Sequence, residues 1–139
     1  MDKVKASALV FAFATSVVAA FQLALALGAP WGSFAMGGAF PGQYPPSMRG
    51  AAVVMALLLG LMAGVVLSRA GMALPRWSRT SRWLVWVIVA YSVIGTVLNL
   101  ITPSGGERLL WAPVALIMLV SSLMVARSSA RGVAARSTA

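Results

Sequence analysis

Residues 50–68 read GAAVVMALLLGLMAGVVLS, nineteen consecutive positions with no charge and no proline. Such a run is about as long as the ~20 helical residues that cross a ~30 Å hydrocarbon core. Inside a bilayer no water pairs with backbone N–H and C=O groups, so the segment must close its hydrogen bonds on itself as a helix. Working outward, the uncharged stretches Ala6–Leu27, Trp83–Ile101 and Leu109–Ala126 take the same reading. The sequence therefore predicts an all-α polytopic membrane protein, with residues 1–126 forming one domain of four transmembrane helices in an antiparallel bundle. Residues 127–139, rich in Ser, Ala and Arg and without an apolar period, are expected to be a disordered basic cytoplasmic tail.

Composition agrees with the spans. The chain of 139 residues is 60% hydrophobic and 9% charged, with a mean hydropathy of +0.92, against roughly 45–50% apolar and about 25% charged in soluble domains. Lys3 and Lys5 before the first run also fit a secretory signal. That run, however, is longer than the roughly 7 to 15 residues of a signal core, so a retained helix is expected.

The cations set the orientation. Of eleven Lys and Arg, Lys3, Lys5, Arg69, Arg76, Arg79, Arg82, Arg127, Arg131 and Arg136 fall at one end of the spans, and only Arg49 and Arg108 at the other. The positive-inside rule then predicts N-in, C-in topology in a cell (inner) membrane. Arg76, Arg79 and Arg82, mixed with Trp77, Ser78, Thr80 and Ser81, are of a kind that can grip nucleic acid. Beside a membrane they are expected to hold anionic lipid headgroups instead, at about 1 kcal/mol per cation, and no nucleic-acid partner is expected.

No Cys and no His are present, and the only carboxylates are Asp2 and Glu107. This removes thiolate nucleophiles, the commonest general base and the commonest metal ligands. Asp2 and Glu107 belong to opposite ends of the spans, which excludes a paired-carboxylate site. The sequence thus implies no catalytic residue, no cofactor and no metal.

In lipid, helices pack closely where small residues let backbones approach. Helix 1 carries Ala8, Ala12, Ser16, Ala20, Ala24 and Gly28 at every fourth position, and helix 2 carries Ala52, Ala56, Gly60, Gly64 and Ser68. These stripes predict a tight hairpin with Gly60 and Gly64 as packing residues. On helix 3, Tyr91, Ser92, Gly95, Thr96 and Asn99 share one face, expected to look inward, whereas Val89, Val93, Ile94, Val97 and Leu98 suit lipid. On helix 4 the row Trp111, Ala115, Met118 and Ser122 is expected inside.

One polar cluster stands out against this background. Gln22, Asn99, Ser104, Glu107 and Arg49 all fall near the outer ends of their spans, beside a Gly- and Pro-rich loop, 28–49, with Trp31, Phe34, Met36, Phe40 and Tyr44. They can converge on an outward-facing pocket for a solute or lipid, roofed by Trp31 and Tyr44, because polar groups are costly inside membranes and rarely idle. A purely structural reading competes. Ser104-Gly-Gly-Glu107 has the form of a capping box, worth about 1 kcal/mol without any ligand. Gln22 and Asn99 can bridge helices, and Arg49 can pair with Glu107 or a lipid phosphate.

The segments Ala29-Pro30-Trp31-Gly32, Gly37-Gly38, Pro41-Gly42, Asn99 to Ser104, Glu107-Arg108 and Trp111-Ala112-Pro113 resemble those of small four-helix integral membrane proteins of bacteria. The resemblance spans nearly the whole chain and implies the fold, with no activity attached. Helix count and length are also similar to the small multidrug-resistance exporters, but those need a carboxylate within the first helix, where this chain has only Gln22. Foremost among functions is therefore a non-catalytic membrane module, an accessory subunit or a self-associating bundle, with a second copy or another membrane protein as partner. The alternative is a permease that binds a small solute or lipid in the outer pocket.

Overall fold

A computed structural model describes residues 2–138, with side chains placed through Ser128 and at Thr138. Its four long helices are α1 (Lys3–Ala26), α2 (Pro46–Arg69), α3 (Ser81–Ile101) and α4 (Gly105–Ser137), joined by segments that carry only short 3₁₀ turns. All four are long and apolar enough to cross a membrane, the makeup of a multi-pass membrane protein. At 1.5 Å per residue, the 24 residues of α1 or of α2 extend about 36 Å.

Each helix begins two to four residues before the apolar run that announces it. The extra turn is polar, and at α1 and α4 a side chain caps it. Asp2 accepts from Lys5 N at 2.8 Å to start α1, Pro46 occupies the first turn of α2, where a missing N–H is harmless, and Ser104 accepts from Glu107 N at 3.2 Å to start α4. At its other end α4 runs on to Ser137, through the segment expected to be disordered from Arg127. Ala and Arg are strong helix formers and no Gly–Pro stop intervenes, so an established helix propagates. The side chains of Arg131 and Arg136 lie outside those described.

Successive helices pack as antiparallel neighbours, most extensively α1 with α2 and α3 with α4, and α4 closes against α1. The α2–α3 seam is the sparsest of these four. Two ends result. One, here the cap end, carries the 27–45 loop and the short α3–α4 turn; the other, the terminal end, carries both chain ends and the 70–80 connection.

The bundle is apolar outside and mixed inside. Phe13 is 74% exposed, and Leu57, Leu61, Ile94 and Val97 also face outward, as lipid-facing side chains do. Several buried hydroxyls are satisfied within their own helices: Ser92 Oγ donates to Ile88 O at 2.9 Å, Thr96 Oγ1 to Ser92 O at 2.7 Å and Ser121 Oγ to Ile117 O at 2.6 Å, whereas Thr15 Oγ1 on α1 has no partner among the described residues. The close-packed core, with Phe11, Leu59, Val66, Val85 and Val125 fully buried, lies in the middle and toward the terminal end.

The predicted α1–α2 hairpin is the most extensive helix contact, but its two stripes are buried only in part, at Ala8 on α1 and at Ala52, Ala56 and Ser68 on α2. Ala8 is buried, but Ser16 and Ala20 are exposed, and α1 instead buries Ser7, Ala8, Phe11, Ala14, Thr15 and Leu25. Residues four apart advance about 400°, so a strict fourfold stripe drifts about 40° per step and leaves the contact face. Gly60 likewise points outward, and a Cβ there would meet nothing within 4 Å. A Cβ on Gly64 would lie 3.1 Å from Leu74 Cδ1 and from Trp77 Cζ3, so this glycine accommodates the 70–80 connection and not α1. Helix 3 follows the expectation at Ser92 and Thr96, which are buried, but Val89, expected in lipid, is also buried. On α4, Met118 and Ser122 are buried as expected.

Candidate functional site

The cap end is hollow. A cavity of about 410 Å³ lies among all four helices beneath the 27–45 loop, within the size range of ligand pockets. Its lining changes with depth. Near the cap stand Gln22 of α1, Tyr44 before α2, Asn99 of α3 and Glu107 of α4, and deeper stand Val18, Met55, Leu59 and Met118. From Glu107 to Met118 the helical rise is about 16 Å.

Glu107 is held in place from two sides. Its Oε2 accepts from Gly37 N at 2.8 Å and from Thr102 Oγ1 at 2.8 Å. The first of these requires the chain to turn back toward α4, and Gly37, at φ +67°, supplies the left-handed conformation that favours glycine. Only half of the predicted capping box forms. Ser104 caps Glu107 N, but Glu107 does not reach back to Ser104 N, which instead contacts Thr102 Oγ1 at 3.3 Å. The carboxylate is committed to the loop because the loop offers an unpaired N–H closer to the bundle axis.

The loop is fastened as a roof. Ser104 Oγ donates to Ser33 O at 2.8 Å and Trp111 Nε1 to Phe34 O at 2.9 Å. Gly32 N donates to Gly42 O at 2.9 Å, drawing the loop into a closed ring. A Cβ on Gly32 would meet Phe40 O at 1.8 Å, so only glycine fits there. Phe34 and Met36, rather than Trp31, roof the cavity. Trp31 stacks on Phe21, centroids 6.2 Å apart and planes 9° apart, and Phe21 meets Trp111 edge-on at 4.7 Å.

Of the six residues predicted to converge, Gln22, Asn99 and Glu107 line the cavity, while Trp31, Arg49 and Ser104 do not. Arg49 Nε donates to Tyr44 O at 2.9 Å, and its guanidinium lies against Gly28. Arg108 Nη2 donates to Thr102 O. Neither pairs with Glu107, because each guanidinium is taken by a nearby carbonyl of its own segment. Asn99 Nδ2 bonds to Gly95 O at 2.7 Å within α3, which turns its carbonyl oxygen free of that bond. Gln22 and the Tyr44 hydroxyl make no hydrogen bond to a described residue. Burial first, and the nearby Glu107 charge second, push the Tyr44 hydroxyl above the ordinary tyrosine range, so it stays a donor.

The residues that sequence reasoning missed are Gly37, Thr102, Met48 and Met55. The methionines were legible only as apolar span residues, although thioethers adapt well to irregular ligands. Among the described residues no group of His, Cys, Asp and Glu could hold a metal ion. No family model, curated protein or solved structure matches the chain.

Proposed function

We propose that this chain is a non-catalytic membrane protein that binds a small amphipathic solute or lipid in the cavity at its cap end. The single observation that carries this reading is the cavity itself, in which Gln22, Asn99, Tyr44 and Glu107 are gathered at one end of a space otherwise lined mostly by apolar groups. A cap alone needs Ser104 and nothing more; it does not need a hollow beneath it or a second carboxylate oxygen left open. The cation distribution supports N-in, C-in topology, with the cavity toward the outer face and Arg76, Arg79 and Arg82 on inner-leaflet anionic headgroups.

The test is titration of the purified protein in phosphatidylcholine nanodiscs with the neutral dye 1-aminoanthracene. Saturable binding is expected in the wild type. Gly95 lines the cavity and a Cβ there meets nothing within 4 Å, so Gly95→Leu should fill the space and abolish binding while leaving the helical fold intact. Equal binding by both proteins would remove the proposal. A second reading, association with another copy or another membrane protein, is favoured by Gly60, which is exposed and open to a close-approaching helix. Gly60→Leu should then reduce an oligomer seen by crosslinking in membranes.

A further inference from the structure

The lining has one formal charge and it is negative. Glu107 faces the cavity, whereas Arg49 and Arg108 are turned to the carbonyls of Tyr44 and Thr102 and no Lys or Arg lines the space. The groups beside the carboxylate have the same electrostatic sense. Asn99 presents a carbonyl oxygen unused by its bond to Gly95, and the rings of Phe34, Tyr44 and Trp111 line the same region, where a ring quadrupole attracts a cation that meets its face. Deeper in, the walls are mainly thioether and aliphatic down to Leu59 and Met118, with Tyr91 and Ser92 on the α3 side.

The approach to the space matters as much as its walls. The roof is fastened to α4 by Glu107, Ser104 and Trp111, but the α2–α3 side is the sparsest contact of the ring. There Tyr91, 40% exposed, meets Met55 through a long O–H···S contact of 3.6 Å, and both residues also line the cavity. Of the four sides of the bundle, this seam, closed by Tyr91 and the flexible Met55, is the least packed one between the bilayer and the cavity.

Resting on the binding role proposed above, we propose that the ligand is a cationic amphiphile, a long-chain amine or quaternary ammonium, with its charged head at Glu107 and its chain directed toward Met118. Glu107 is half-buried with no Lys or Arg lining the space around it, so an opposite charge brought into this partly desolvated site is attracted to it, and such a head supplies one. An anion would face Glu107 unpaired, and a neutral chain would gain only the apolar part of the site.

The test uses three probes of equal chain length, dodecyltrimethylammonium, dodecanol and dodecanoate, each displacing 1-aminoanthracene from the protein in phosphatidylcholine nanodiscs. The same series on Gly95→Leu supplies the bilayer background. In the wild type the cation should displace the dye at a concentration at least about tenfold below the alcohol, and the anion should be weakest. Glu107→Gln should bring the cation to the level of the alcohol, both read relative to that variant's own dye affinity. A cation no better than the anion in the wild type, which needs no variant to fold, would overturn the inference; so would an unchanged cation preference in Glu107→Gln. Dye binding without charge preference would sink this inference alone, whereas no dye binding to the wild type would sink the binding role with it.

Discussion

The two ends of the bundle are built from similar apolar helices yet behave as different materials. Toward the terminal end Phe11, Val66, Val85 and Val125 are fully buried, and the connection 70–80 folds back so that Leu74 and Trp77 cover Gly64. Toward the cap end the same helices diverge around a cavity, and a loop tied down by side-chain hydrogen bonds covers the gap. The contrast teaches that hydropathy fixes how many helices cross, while the size of the side chains between them fixes whether the interior is solid. Ala51, Ala52, Gly95 and Ala115 leave room at the cap end, where the other half carries branched residues and Phe11.

Substitutions sharpen that difference. The largest effect is expected at Phe11→Ala, which removes a fully buried ring from the packed half and should cost about 3 kcal/mol or more. Met55→Ala, on the cavity wall, should cost well under half of that, because the space beside it is already empty. Thermal unfolding in mild detergent compares the two, and equal losses would erase the distinction between the halves.

Next in size comes the roof. Gly32→Ala places a Cβ against Phe40 O and should cost about 1 to 3 kcal/mol of local strain, read as faster protease cleavage of the 27–45 loop with the helices intact. Unchanged cleavage would mean that the loop is not a closed ring. Ser104→Ala loses both the α4 cap and the bond to Ser33 O, for about 1 kcal/mol. Glu107→Gln should be milder in stability, since an amide oxygen still accepts from Gly37 and Thr102.

The smallest effect separates two glycines. Gly64→Leu must displace Leu74 or Trp77 and should lower the unfolding temperature by a few degrees, about 1 kcal/mol in a domain of this size. Gly60→Leu projects into open space and should leave it unchanged. The reverse order would restore the fourfold stripe as the α1–α2 interface.

Much of this was legible beforehand, and the failures have a common cause. The four spans follow from run length, the α4 cap from Ser104 and Glu107, and the inward face of α3 from Ser92, Gly95, Thr96 and Asn99, because polar residues in a span mark the side that avoids lipid. Val89 is buried, and Ser16, Ala20 and Gly60 of the stripes are exposed, against expectation, because buried and lipid-facing residues are equally apolar and composition does not say which way a helix is turned. Charge alone allows Arg49 to pair with Glu107 or with a lipid phosphate, but a carbonyl five residues away, on Tyr44, accepts from its Nε. The bond from Gly37 to Glu107 joins residues 70 apart, and no local pattern announces it.

The space among all four helices lies in the cap half, whereas the terminal half has only a more open surface groove between α1 and α4, lined by Ser7, Val10, Ile117 and Met124. The chain contains no cysteine, so single substitutions give clean reporters. Gly95→Cys, on the cavity wall, and Ala126→Cys, buried in the packed core, are to be treated with a small methanethiosulfonate reagent in the folded protein, with and without dodecyltrimethylammonium. The account predicts that Gly95→Cys is modified and is protected by the amphiphile, while Ala126→Cys reacts only on unfolding. Modification of both at the same rate, or of Ala126→Cys alone, would contradict it.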